Sequence, residues 1–274
     1  MNDKPNILTP ATPETAKGNA DWLQRFVRRQ LGDCLLINAD CLDVLPEIEC
    51  DAVVTDPPYG VTACKWDVAP DLAQWWNALR CSGMVVMTSA QPFTSDLVKS
   101  NQAEYKCSMV WEKTKATGHL NAKLLPLRAH EDVLVFCRGR HTYNPQGLLR
   151  GNFKNSRPNK QATKTEDAYG QESEHGESEW GNYPTTIIKA KNRDTTNSHP
   201  TEKPVNLMTY LVETYTNPGD TVLDCYAGSG TTAIACIRTG RKFVGIEKDV
   251  KHFETACERV ANELAQGVLL PPNH

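Results

Sequence analysis

In VVTDPPYG, residues 53–60, an acid, two prolines and an aromatic follow directly on an apolar stretch of strand character. Asp56, Pro57, Pro58 and Tyr59 therefore stand at the carboxyl end of a strand, where open α/β sheets place their ligands. The Asp56 carboxylate and the backbone carbonyl of Pro57 are neighbouring hydrogen-bond acceptors, suited to an amino group whose lone pair is delocalised into a heteroaromatic ring. If both amino hydrogens are accepted there, the nitrogen can turn pyramidal as it attacks an electrophile, and its developing positive charge is stabilised. No covalent enzyme intermediate is then required, and the rate comes largely from holding donor and acceptor within about 3 to 3.5 Å. Tyr59 adds a flat face on which an extruded base can stack. The plainer alternative is a rigid Pro-Pro turn whose tyrosine is only packed.

A second constellation makes that alternative weaker. TVLDCYAGSGTTAIAC, residues 221–236, passes from an apolar strand through a glycine turn into a helix beginning near Thr231. Gly228 and Gly230 allow a ligand close to the backbone, and the helix start offers unpaired amides and the positive end of its dipole. The third glycine of the dinucleotide fingerprint and the GKT of a phosphate loop are both missing. About 17 residues beyond the turn, the next strand ends in Glu247, where a ribose is gripped through its hydroxyls. Turn and acid together imply a nucleoside-containing cofactor.

These residues need a sheet to hold them. CLLINA (34–39), DAVVTD (51–56), GMVVMTS (83–89), TVLDCY (221–226) and KFVGIE (242–247) read as short apolar strands alternating with helical stretches, the signature of βαβ units and a largely parallel sheet. Strands around Tyr105–Trp111 and Asp132–Cys137, with no long helix between them, predict an antiparallel edge. Residues 1–20 read as a loose arm, and an amphipathic helix is predicted near Asp21–Gln30 with Trp22, Phe26 and Val27 on one side. PVNLMTYLVETYT (204–216) places Val205, Met208, Leu211, Val212 and Tyr215 on one helical face. A last amphipathic helix is expected over Val250–Ala265.

At 274 residues the chain suits one main domain. Its polar, Pro/Thr-rich start lacks a signal-peptide core, and no apolar run approaches the roughly 18 residues of a membrane span, so a cytoplasmic protein is expected. The cysteines are scattered singly with no CxxC pair, which argues for reduced, structural thiols and against zinc. His141, His175 and His199 show no ligand spacing, so no metal is expected. Net charge is -3, yet Lys106–Lys164 holds about a dozen Lys and Arg against Glu112, Glu131 and Asp132.

Taken together, DPPYG at 56–60 followed by YAGSG at 226–230 resembles the DNA amino-methyltransferases, in particular the beta class, in which the catalytic DPPY motif precedes the FxGxG motif. Tyr226 stands where the family has Phe. INADCLDVL, VWEK (110–113), HEDVLVF (130–136) and HPTEKP (199–204) extend the resemblance over residues 33–262. It implies an α/β, Rossmann-like S-adenosylmethionine-dependent fold with a mixed seven-stranded sheet in circularly permuted order. It also implies double-stranded DNA as substrate, base flipping and, in many members, a homodimer.

By the same resemblance Asp40 contacts the cofactor adenine, Lys203 lies near its methionine carboxylate and Asp224 holds its amino group. Cys41, Asp56, Tyr226, Ala227, Gly228, Ser229, Gly230, Thr231, Glu247 and Lys248 complete the expected cofactor site. The chain then divides into an N-terminal arm and helix (1–32), a catalytic half (33–137), an inserted target-recognition region (138–198) and a cofactor half (199–274). Arg138, Arg140, Arg150, Lys154, Arg157 and Lys160 of the insertion are expected to contact phosphates or guanine edges.

An Asp in the first motif position leans towards adenine N6, with cytosine N4 the alternative. Methylation at a cytosine carbon would require a Cys nucleophile beside a Pro, which is missing. Deamination would require a Cys/His zinc site with an HxE partner. A non-catalytic, cofactor-sensing DNA binder would be favoured had Asp56 or Tyr59 been absent. A dehydrogenase on the same turn would leave DPPYG unexplained.

Overall fold

The computed structural model describes residues 22–62, 64, 67–154, 177–191 and 202–269. A single 3-10 turn at Trp22–Arg25 leads into β1 (Val27–Leu31), which folds back antiparallel on β2 (Cys34–Asn38). The amphipathic helix expected near Asp21–Gln30 is thus replaced by a strand. Gly32, at φ 54°, closes the hairpin, and four of the five β1 side chains face solvent, leaving no apolar stripe for a helix to bury.

Short α1 (Cys41–Val44) and β3 (Glu49–Cys50) precede β4 (Ala52–Thr55), all four residues of which are buried. Then follow α2 (Leu72–Ala78), β5 (Arg80–Cys81), β6 (Met84–Ser89) and α3 (Phe93–Ser100). Two long strands come next, β7 (Tyr105–Thr117) and β8 (Arg128–Cys137), then β9 (Leu149–Lys154), β10 (Glu177–Gly181) and β11 (Ile187–Ala190). The chain finishes with α4 (Val205–Tyr215), β12 (Thr221–Asp224), α5 (Thr231–Thr239), β13 (Lys242–Glu247) and α6 (Val250–Leu269).

Among the described residues nine strands form the main sheet, in the order β1-β2-β13-β12-β4-β6-β8-β7-β11. From β2 to β6 neighbours are parallel, whereas β8 is antiparallel to both β6 and β7. The expected seven-stranded mixed sheet is the inner part of this array, extended by β1 on one side and β11 on the other. Because β11 pairs with β7 in parallel and buries Ile188, β7 is not the sheet edge, and the 138–198 segment is not wholly an insertion outside the fold.

Permutation is visible in the register. β12 lies between β13 and β4, pairing Leu223 with Val53, so the glycine turn and the DPPYG loop emerge side by side. Strand side chains alternate between two cores, as a period of two demands. Leu36, Val54, Val86 and Val222 pack under α4–α6, while Ile37, Val53, Val85 and Leu223 pack under α1–α3 with Trp75 and Phe93. Val205, Met208, Leu211, Val212 and Tyr215 are all buried, as their helical spacing predicts. Leu211 is completely enclosed. Leu211→Ala should destabilise the fold by about 2–5 kcal/mol, seen as a lower urea midpoint at unchanged slope.

Candidate active site

Asp56 follows the last residue of β4, and Pro57 behind it is buried. One carboxylate oxygen of Asp56 accepts the Tyr59 hydroxyl at 2.7 Å and also the Thr88 hydroxyl from β6. Tyr59 stacks on Phe93 of α3 with centroids 5.7 Å apart and an interplanar angle of 20°. Asp67 fixes the loop's backbone. Its carboxylate accepts the amides of Tyr59 and Gly60 at 2.8 Å, Val61 at 3.0 Å and Thr62 at 2.7 Å. Burial opposes that charge, but the hydrogen bonds from Thr62, Gly60 and Tyr59 outweigh it and hold the carboxyl below its ordinary value. Sequence reasoning missed Asp67, whose only signal is an acid shortly after a Pro-Pro turn.

Lys203 enters from the segment before α4. Its ammonium lies 2.8 Å from each Asp56 oxygen and 3.2 Å from Glu131 on β8, and 5.3 Å from the Tyr59 ring centre. Glu131 also pairs with Lys113 of β7. The result is an alternating chain Lys113–Glu131–Lys203–Asp56 on the floor of the site. Burial pulls the Lys203 ammonium down, but Asp56 and Glu131 more than compensate and raise it above its usual range. Burial likewise opposes the Glu131 charge, and Lys203 and Lys113 reverse the effect. Glu131 and Lys113 lie in the HEDVLVF and VWEK matches, but nothing in those strings says that they meet. Lys203, expected beside a cofactor carboxylate, pairs here with the Asp56 carboxylate.

The neighbouring residue Glu202 reaches the other way. It accepts the Thr231 hydroxyl at the start of α5 at 2.8 Å and pairs with Arg259 of α6, which donates to the Ser229 carbonyl and hydroxyl at 2.8 Å. Adjacent residues of one segment therefore grip the DPPYG loop and the glycine turn.

The turn itself leaves β12 with Gly228 at φ 53° and Gly230 at φ 84°. A Cβ on Gly230 would also come within 3.1 Å of the Ala256 methyl, so no other residue fits without displacing α6. Glu247, at the end of β13, accepts the Gly228 amide at 2.8 Å and the Asp249 amide at 2.7 Å. Burial pushes its carboxyl up despite those two amides. Asp40 caps α1 through the Leu42 amide and pairs with exposed Lys248 at 2.8 Å. Cys41 is buried beside Tyr226, its thiol pushed up to about 11 chiefly by burial. The structure thus brings Asp40, Cys41, Tyr226, Ala227, Gly228, Ser229, Gly230, Thr231, Glu247 and Lys248 together around the ends of three adjoining strands, β2, β13 and β12.

Asp224 is a different case. Its oxygens accept the hydroxyls of Thr55 and Thr232, each at 2.6 Å, and the Tyr226 amide at 3.1 Å. It bolts the end of β4 to β12 and α5, so a ligand amino group would have to compete with three internal donors. Burial drives its carboxyl up to about 6, against the lowering effect of Thr232, Thr55 and the Tyr226 amide.

The basic residues do not converge. Since β8 runs antiparallel, Arg138 and Arg140 leave the sheet at the end opposite Asp56. Arg138 pairs with Glu104 at 3.2 Å and donates to the Trp76 and Leu79 carbonyls, while Arg140 pairs with Asp220 at 2.7 Å. Both are tied to neighbouring elements there, away from the DPPYG loop. Arg150 packs over Trp180 and pairs with Glu179 on the β9–β10 ribbon, where the Lys154 backbone also lies. Arg157 and Lys160 fall outside the described residues, as do His175 and His199. Among the described residues no group of three or more His, Cys, Asp or Glu is placed to hold a metal ion.

A DNA methylase family model matches residues 84–258, well over half of the chain. The chain belongs to the N6/N4 DNA methylase family. The Type II methyltransferase M1.MboII of Moraxella bovis is 24% identical over 253 residues, covering 79% of this chain and 92% of that protein. Three other curated relatives match over stretches of 62 or 63 residues, which cover 28%, 18% and 21% of their lengths. Among solved structures, the M1.HpyAVI–SAM complex overlays with a TM-score of 0.57 at 22% identity, over 82% of this chain and 99% of that one. The cytosine-N4-specific PvuII DNA methyltransferase does so with a TM-score of 0.55 at 13% identity, over 85% and 92%. These likenesses establish the methyltransferase fold.

Two expectations follow from the geometry. Asp67→Ala removes the acceptor for four amides of the DPPYG loop, and methyl transfer should fall at least about tenfold while cofactor affinity stays within about threefold. A steady-state comparison of kcat with calorimetric binding checks this. For Asp224, the folded carboxyl is raised to about 6 while the unfolded one titrates near 3.9. The unfolded state therefore releases its proton first, and wild type should lose stability, by up to roughly 3 kcal/mol, as pH rises from about 4 to 6. Asp224→Asn should lack that loss in urea titrations across the same range.

Proposed function

We propose that this chain is a site-specific methyltransferase acting on the N6 amino group of adenine in double-stranded DNA, with S-adenosylmethionine as the methyl donor. The observation that carries this reading is the juxtaposition, across paired β4 and β12, of the Asp56–Tyr59 acceptor loop with a glycine turn backed by Glu247. The cofactor fits the donor set. The carboxylates of Glu247 and Asp40 are acceptors that suit the ribose hydroxyls and the exocyclic amino group of an adenosine, and the Gly228–Gly230 backbone leaves room for a close approach. When bound, S-adenosylmethionine supplies a methyl group on a positively charged sulfur.

Asp56 and the Pro57 carbonyl then accept the two amino hydrogens. The nitrogen lone pair would then take up that methyl group, the bonding electrons leaving with the sulfur, and the nitrogen would shed one proton through its hydrogen bond to Asp56. Lys203 keeps that acid oriented by pairing with both of its oxygens. Tyr59, braced on Phe93, stacks the extruded base.

Asp in the first position of the motif favours adenine. Cytosine N4 is the second reading, favoured by the fold shared with the cytosine-N4-specific enzyme. The name of the Moraxella relative supports a place as the modification half of a type II restriction–modification pair. The 138–198 segment is the region we assign to target recognition, with Arg150 and Trp180 on its ribbon. No helix among the described residues is long and apolar enough to cross a membrane.

The test is single-molecule sequencing of genomic DNA from cells expressing wild type or Asp56→Ala. Methyladenine at one motif in wild type only supports the proposal, methylcytosine moves it to the second reading, and identical genomes defeat it. In vitro, Asp56→Ala should abolish transfer yet bind S-adenosylmethionine within about threefold of wild type, because its interactions belong mainly to the transition state.

A further inference from the structure

β7 and β8 outrun the sheet. Beyond the Lys113–Glu131 pair they continue as a two-stranded ribbon, joined as far as Thr117 and Arg128. Because β7 runs parallel to β4, the ribbon leaves the sheet on the side that presents Asp56. Its base is joined to that acid through Glu131 and Lys203.

Every residue from Thr117 to His130 is exposed. Four leucines stand there, and Leu120 is fully in solvent while Leu124 and Leu125 are 81% and 65% exposed. From Lys113 to His130 the chain holds no acid, while Lys115, Lys123, Arg128, His119 and His130 surround the leucines. Lys191, just beyond β11, shares one open groove with Lys115 and His119. A cluster of exposed leucines on a monomer marks an interaction surface, and the single sign of charge around it calls for an anionic partner with an apolar interior. Duplex DNA has both, with phosphates outside and stacked bases within.

We infer that this ribbon engages duplex DNA above the active site. Lys115, Lys123, Arg128 and Lys191 neutralise phosphates, and the leucines of residues 120–125 fill the stack vacated by the base that turns towards Tyr59. Apolar side chains used as wedges between base steps are a recurring device of DNA-bending proteins. The inference rests on the methyl-transfer reading and names the DNA-contacting element that it requires. It also adds basic contacts on the β7–β8 ribbon and on Lys191 beside it.

The experiment uses the full chain, sheared genomic DNA amplified in vitro so that it carries no modification, and tritiated S-adenosylmethionine. Lys115→Gln/Lys123→Gln/Arg128→Gln should flatten the dependence of log Kd on log salt by about two to three. Leu120→Ser/Leu124→Ser/Leu125→Ser should keep DNA affinity within about threefold but lose more than about tenfold in kcat, as a lost wedge rather than a lost phosphate contact would. Unchanged melting temperature and cofactor affinity in both variants show that the fold is intact. Wild-type salt slope and kcat in the two variants would overturn the inference. So would a wild-type dimer that the leucine variant dissociates in sedimentation, or flotation on phosphatidylglycerol vesicles that the variants lose while DNA parameters stay put. A wild type that methylates no DNA at all defeats the methyl-transfer reading instead, and the salt slope still decides the ribbon.

Discussion

A lysine ammonium buried between two carboxylates sets most of the geometry of this protein. Lys203 can stay charged away from water only because Asp56 lies 2.8 Å away and Glu131 3.2 Å away. An unpaired charge at such a depth costs several kcal/mol, so the partners are held as firmly as the lysine is. Glu131 in turn requires Lys113, which ties β7 and β8 to the DPPYG loop. Through Glu202 the same segment clamps Thr231 and Arg259 at the glycine turn. The DPPYG loop and the glycine turn are thus held in one frame by consecutive residues.

The sheet supplies the coarser alignment. Thr55 and Asp224 are 169 residues apart in the chain, yet their side chains share a 2.6 Å hydrogen bond because β12 is threaded between β13 and β4. Circular permutation changes which loop connects the halves and leaves the strand ends together. Ligands gather where those carboxyl ends lie side by side, as in other open α/β sheets.

Strand direction also partitions the basic charge of the chain. β8 is the one strand of the inner sheet that runs against its neighbours, so the residues before it rise on the catalytic side and those after it descend to the far end. Of the dozen or so cations between Lys106 and Lys164, continuous in sequence, those among the described residues are therefore divided in space. Arg138 and Arg140 became fasteners for Glu104, Asp220 and backbone carbonyls, while Lys115, Lys123 and Arg128 stayed exposed around the leucines.

Much of this was legible in the residues themselves. Five apolar runs became β2, β4, β6, β12 and β13 because strongly apolar short segments have few other stable uses, and the helical face from Val205 to Tyr215 was buried as spaced. DPPYG and YAGSG were recognisable because proline and glycine impose local backbone geometry that needs no tertiary partner. Asp21–Gln30 misled because fewer than three helical turns of periodicity cannot outweigh a hairpin formed with the next strand. Tertiary structure alone decided what long-range pairing decides. It set Lys203 on Asp56, made Asp67 the anchor of the DPPYG loop, enclosed Asp224 among internal donors, and fixed which end of the sheet Arg138, Arg140 and Arg128 stand at. Those outcomes depend on which distant strands become neighbours and in which direction they run, and a buried charge finds its partner only once the chain has closed around it.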